Sequence, residues 1–98
     1  MSTDDTYQGW TNRETWALML HINNDQGLYN LTRDWLRQAE IGAEAEYVEA
    51  SVTDLLDPVA YADEYGTEWP AALAMMAREV GSLWRVNWTE VVAALTED

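Results

Sequence analysis

The stretch Thr11-Asn12-Arg13-Glu14-Thr15-Trp16-Ala17-Leu18-Met19-Leu20-His21-Ile22-Asn23 decides the fold class. Thr11 and Glu14 stand three apart ahead of an apolar run. That is the spacing of a capping box, in which the threonine hydroxyl accepts from a backbone N–H and the glutamate reaches back. A helix is expected from Asn12 to about Asn23. Its apolar residues, Trp16 to Leu20 with Ile22, point almost all round, and such a helix belongs at the centre of a fold. Asn23-Asn24-Asp25-Gln26-Gly27 is turn chemistry that ends it.

Outward from this stretch the same period recurs. Leu28, Leu31, Trp35, Leu36 and Ala39 predict a second helix over about Gln26 to Ala39. Ile41, Ala45, Val48, Val52, Leu55 and Leu56 form the stripe of a third, over about Ala43 to Leu56, which stops before Pro58. Pro58 to Tyr65 reads as a short helix with proline at its first position and Gly66 past its end. Thr67 is a cap candidate for the next, with Trp69, Leu73, Met76, Ala77, Val80 and Trp84 on one stripe and Gly81-Ser82 as its end or bend. Asn87 caps a last helix holding Trp88, Val91, Val92 and Leu95. No period-two strand is present. The expectation is an all-α fold, a compact bundle of five or six short helices, with residues 1–9 a polar lead-in and 10–98 a single helical domain.

The chain has 98 residues, 48% of them hydrophobic, with six Trp, five Tyr and no Cys. Disulfides and thiolate metal sites are excluded, so dense packing has to hold the fold. A buried Trp removes about 150–250 Å² from water, so a Trp-rich core built on Trp16, Trp35, Trp69, Trp84 and Trp88 is expected. Trp10, just before the capping threonine, either clamps the chain entry or serves as an exposed anchor; the clamp is favoured. The segment opening at Met1 has neither a basic start nor an apolar run, and Trp16–Leu20 is far shorter than the about 20 residues a membrane span needs. A soluble protein of the cytoplasm is the expectation.

The formal charge is −13. The basic residues are five arginines, Arg13, Arg33, Arg37, Arg78 and Arg85, and lysine is absent. Such a charge excludes phosphate-driven binding to nucleic acid and attraction to an anionic membrane, which both need a basic field. Half of the 18 acids fall between residues 38 and 77, where there is no basic residue: Glu40, Glu44, Glu46, Glu49, Asp54, Asp57, Asp63, Glu64 and Glu68. On a helical wheel Glu46, Glu49 and Asp57 form one row and Glu40, Glu44 and Asp54 another. Like charges at i,i+4 cost about 0.2–0.5 kcal/mol a pair, so the block invites an explanation. One reading makes it a mimic of a nucleic-acid backbone, presented to a basic, nucleic-acid-binding partner. The others make it a solvated face, or the general acidity of a protein from a salty cytoplasm.

Chemistry is sparse elsewhere. His21 is the one histidine and has no serine- or cysteine-based motif beside it, so it reads as structural and no enzyme is expected. Asp25 in its polar turn lacks the spaced ligands and closing glutamate of a calcium loop. Asp63-Glu64 is too short a signal for a metal, and no glycine-rich phosphate loop is present. No cofactor and no metal are expected.

Two segments carry a family resemblance. Tyr7-Gln8-Gly9-Trp10-Thr11-Asn12-Arg13-Glu14-Thr15-Trp16, followed by Leu18 to Asp25, resembles the Gly-Trp-Thr-Asn-x-Glu-Thr-Trp opening of a family of small proteins of bacteriophages, plasmids and other mobile elements. Val86-Asn87-Trp88-Thr89-Glu90-Val91-Val92-Ala93-Ala94-Leu95 is similar to its closing Val-Asn-Trp-x-Glu-Ile-Ala-x-x-Leu pattern. The resemblance covers both ends and leaves the acidic middle unplaced. It supplies no catalytic residue and implies a mobile-element setting, in which small acidic proteins are often inhibitors of restriction or CRISPR systems. The expectation is then a decoy in the host cell that occupies the nucleic-acid site of a defence nuclease or surveillance complex. The alternative is a non-enzymatic interaction or structural protein adapted to high salt.

Overall fold

Helix α1 (Arg13–Asn24) begins where a side-chain oxygen can satisfy its first free N–H groups, and that oxygen belongs to Asn12. Asn12 Oδ1 accepts from Thr15 N at 2.9 Å and from Thr15 Oγ1 at 2.7 Å. The expected Thr11–Glu14 box is therefore corrected by one residue. Thr11 lies outside the helix, and the Glu14 carboxylate sits 3.6 Å from Arg85 Nε. The computed structural model describes residues 7–96. Among them every regular element is helical, apart from an isolated bridge between Tyr7 and Trp10.

The polar turn after α1 is compressed into one residue. Asp25 donates its N–H to Ile22 O and accepts from Leu28 N, so it ends α1 and starts α2 (Gln26–Gln38) at once. Next come α3 (Glu44–Leu55), α4 (Pro58–Tyr65) and α5 (Ala71–Val80), then a 3₁₀ turn at Leu83–Arg85 and α6 (Trp88–Thr96). Asp57 caps α4 through Val59 N at 2.9 Å, and Gly66 closes it at φ +69°, a conformation that suits a residue without Cβ. Asn87 caps α6 by accepting from Glu90 N at 3.1 Å, as its position predicts. Helix α5 is preceded by Pro70 and has no side-chain cap, so the expected Thr67 cap is not formed. The all-α architecture stands, with six helices among the described residues.

Helix α1 is the hub, touching α2, α5, α6 and the 3₁₀ turn, while α6 also closes against α2 and α3. The core consists of Ala17, Leu18, Met19, Ile22, Val48, Val52, Leu56, Met76, Val80, Val86, Trp88, Val91 and Leu95. Its mass is aliphatic, which corrects the expectation of a Trp-rich core. Trp88 alone among the tryptophans is buried; Trp10, Trp16 and Trp35 pack half-buried against the core. Trp69 is half-buried and donates its Nε1 proton to Leu55 O at 3.1 Å. Trp84 is 77% exposed. The cause is Gly81, which ends α5 at φ +81°, so the helical stripe stops before Trp84, whose ring instead lies under the Arg85 guanidinium. Trp10 acts as the clamp: it pairs with Tyr7 through two backbone hydrogen bonds and packs on the core, while the Tyr7 and Trp16 rings meet at 5.0 Å. Residues 1–6 of the expected lead-in lie outside the described residues.

One addition and one further correction concern helix faces. Thr32 is fully buried at the centre of the α2 stripe, where its hydroxyl donates to Tyr29 O at 2.8 Å and so needs no water. Ile41, placed on the α3 stripe, is 100% exposed, because the chain turns at Glu40–Ala43 (Ala43 N to Glu40 O, 2.9 Å) before the helix begins. Ile41→Asn is therefore expected to shift the urea midpoint by the equivalent of about 0.5 kcal/mol or less. A larger loss would place Ile41 against a surface.

The start of α1 and the start of α6 are joined by a crossed pair of caps. Thr15, third residue of α1, accepts through Oγ1 from Asn87 N at 2.9 Å. Glu90, third residue of α6, accepts through Oε1 from Thr11 N at 3.0 Å. In an ordinary capping box that third side chain serves its own helix; here each serves the other's entry segment. Asn12 Nδ2 adds a bond to Arg85 O at 2.7 Å, and Asn87 Nδ2 one to Thr11 Oγ1 at 3.1 Å. Arg13 donates to the Glu79 and Val80 carbonyls, fastening the end of α5 to the same joint.

Candidate functional site

The acids of the middle block occupy α3, α4 and the loops around them. Glu46, Asp54, Asp57, Asp63, Glu64 and Glu68 are exposed, as is Glu40 in the turn before α3. Glu44 and Glu49 are half-buried, and Glu44 Oε1 accepts from Gly42 N at 3.0 Å. Neither expected row survives as drawn. Asp57 leaves the first because α3 ends at Leu55 and its carboxylate is used as the α4 cap. The second is broken because Glu40 precedes the helix and Glu44 turns towards the chain. The charge remains uncompensated. Ion pairs among the described residues are Arg37–Asp34 and Arg85–Glu14, with His21 in hydrogen-bond contact with Glu79, and none of these involves an acid between Glu40 and Glu68.

Between α2, α3 and α4 lies a cavity of about 300 Å³. Helical spacing builds each wall. On α3, Tyr47, Ser51 and Asp54 recur at four and three residues; on α4, Glu64 and Tyr65 stand three and four residues after Tyr61. Helix α2 adds Trp35 and Gln38, three apart, and Gln38 Oε1 accepts from Tyr47 Oη at 3.1 Å. The Tyr61 and Tyr65 rings meet at 4.5 Å, tilted by 39°. The site thus brings together two of the nine acids, Asp54 and Glu64, with four aromatic rings. Charge alone selects the acids and misses the tyrosines. The signal for them is Tyr61 and Tyr65 at i,i+4 flanking Glu64 on a helix with no buried residue.

His21 Nε2 lies 2.7 Å from Glu79 Oε1 and ties α1 to α5. Asp25 is the shared cap described above. No group of three or more His, Asp or Glu poised to hold a metal occurs among the described residues, and no helix there is long and apolar enough to cross a membrane. Thr11, Asn12 and Thr15 of segment 7–16, and Asn87 and Glu90 of segment 86–95, are the two halves of the crossed caps.

A family described as being of unknown function, DUF7249, matches residues 3–98, and the chain belongs to it. No curated protein and no solved structure matches.

Proposed function

We propose that this member of the family is a non-enzymatic acidic decoy from a phage or other mobile element. It acts in the host cytoplasm, where it presents α3 and α4 to the nucleic-acid site of a basic defence complex of the CRISPR or restriction type. The observation that carries the reading is the largely exposed acid block from Glu40 to Glu68, which makes no ion pair among the described residues and is set in 40 residues without a basic side chain. Glu46 and Glu49, three apart on α3, keep the spacing of about 5–6 Å at Cβ that is comparable to phosphate spacing along a strand. Such a face attracts a basic channel from a distance and raises the rate of encounter.

The test is the triple variant Glu46→Lys, Asp63→Lys, Glu68→Lys, which avoids the cap Asp57 and the half-buried Glu49. It is expected to keep the fold and to lose at least about tenfold in association rate with the defence complex. Protection of a phage against that defence should disappear with it. Protection that survives the three reversals would end the decoy reading.

The absence of lysine favours a second reading, acidity as adaptation to salt. Under it stability climbs steeply with molar salt while no nucleic-acid-binding protein is retained. Retention of such a complex at low salt and its release at high salt would separate the two.

A further inference from the structure

We infer that the cavity between α2, α3 and α4 is a receptor for one arginine side chain. The lining combines two groups that recognise the same ligand. Trp35, Tyr47, Tyr61 and Tyr65 line it with aromatic rings, and a guanidinium is attracted to a ring face because the ring quadrupole is negative there. Asp54 and Glu64 offer carboxylates, from two different helices, and neither is ion-paired among the described residues. A planar fork of donors has N–H groups enough to pair with more than one carboxylate. A quaternary ammonium has no donor for the carboxylates, and a lysine ammonium is a compact, strongly hydrated point charge that gains less from rings. At about 300 Å³ the cavity is at the small end of ligand sites, the scale of one side chain.

The charge around it selects sign. Nine acids and no basic residue lie between residues 38 and 77, so the cavity opens in the most negative part of the chain. That the arginine belongs to a basic protein rests on the decoy reading; the guanidinium site itself does not. In a complex it would supply the buried anchor that a face of exposed carboxylates lacks, since screened surface pairs contribute little to affinity.

The experiment is a titration of the whole chain with N-acetyl-arginine-N-methylamide, followed by backbone NMR shifts. Saturable shifts at Trp35, Tyr47, Tyr61 and Glu64 with millimolar affinity are expected, and the neutral citrulline analogue should produce none. Tyr61→Leu and Glu64→Gln should each weaken binding by about threefold to tenfold, while Glu79→Gln, on α5 and outside the acid block, leaves it unchanged. Spectra of both variants that match the parent away from the cavity show that the fold is kept. Equal shifts with citrulline, or equal loss with Glu79→Gln, overturn the site. If arginine binds but no defence complex is captured, the decoy reading fails and the cavity assignment stands. If a complex is captured with undiminished affinity by Tyr61→Leu, the anchor role is overturned and the decoy reading stands.

Discussion

Trp88→Ala is expected to lower the free energy of unfolding by about 3–5 kcal/mol, and Trp84→Ala to change it by about 0.5 kcal/mol or less. Trp88 is 7% exposed, packs within the core and donates Nε1–H to Leu83 O at 3.2 Å. Truncation leaves a cavity and takes one of its two donors from the Leu83 carbonyl, which keeps the Val86 N–H at 3.1 Å. Trp84 has mostly water around it and one contact with the Arg85 guanidinium, 5.6 Å from the ring centre. Domains of this size have about 5–15 kcal/mol in total, so the first substitution removes a large fraction of it. Urea unfolding read by far-UV circular dichroism avoids the change in fluorescence that either substitution brings. Comparable losses at the two positions would show that the tryptophans share the core load and would refute an aliphatic core.

Thr15→Val comes next, at about 2–3 kcal/mol. The side chain is fully buried, and its hydroxyl both donates to Asn12 Oδ1 at 2.7 Å and accepts from Asn87 N at 2.9 Å. Valine fills the same space and can do neither, leaving the α6 entry with an unpaired N–H. Asn12→Ala, which removes the α1 cap and the bond to Arg85 O, should cost about 2–3 kcal/mol. The two residues share a hydrogen bond, so the double variant should lose less than the sum, with a coupling of about 0.5 kcal/mol or more. Strict additivity would mean that the crossed caps do not act as a unit. Glu90→Gln is the control: the amide oxygen can still accept from Thr11 N while the charge is gone.

Local signals were strong where one residue type has one use. Pro58 and Gly66 bracket α4, Asn87 opens α6, and the apolar period marks α2 and α3, because each is settled within a turn of helix. Thr11 and Asn12 are both able to cap. The choice falls to Asn12 through Arg85 and Asn87, whose proximity no local pattern reveals. Ile41 fits the α3 wheel by angle, but the wheel continues through a turn that the backbone does not. Trp84 fails for the same reason at Gly81. The acid block was legible as charge, and its use was not. A cavity made by three helices depends on which faces converge, and that depends on the aliphatic core.

The crossed caps also set the order in which the molecule can be completed. Their bonds span 72 to 79 residues, nearly the length of the chain. Helix α1 leaves the ribosome first, yet the groups that finish its entry, Arg85, Asn87 and Glu90, are made among the last. The hub of the core therefore waits, with its apolar faces open, until α6 arrives to close the circuit. Contacts so distant cost the most chain entropy to form. Weakening this joint should therefore act mainly on how fast the finished domain opens, and little on how fast it first collapses.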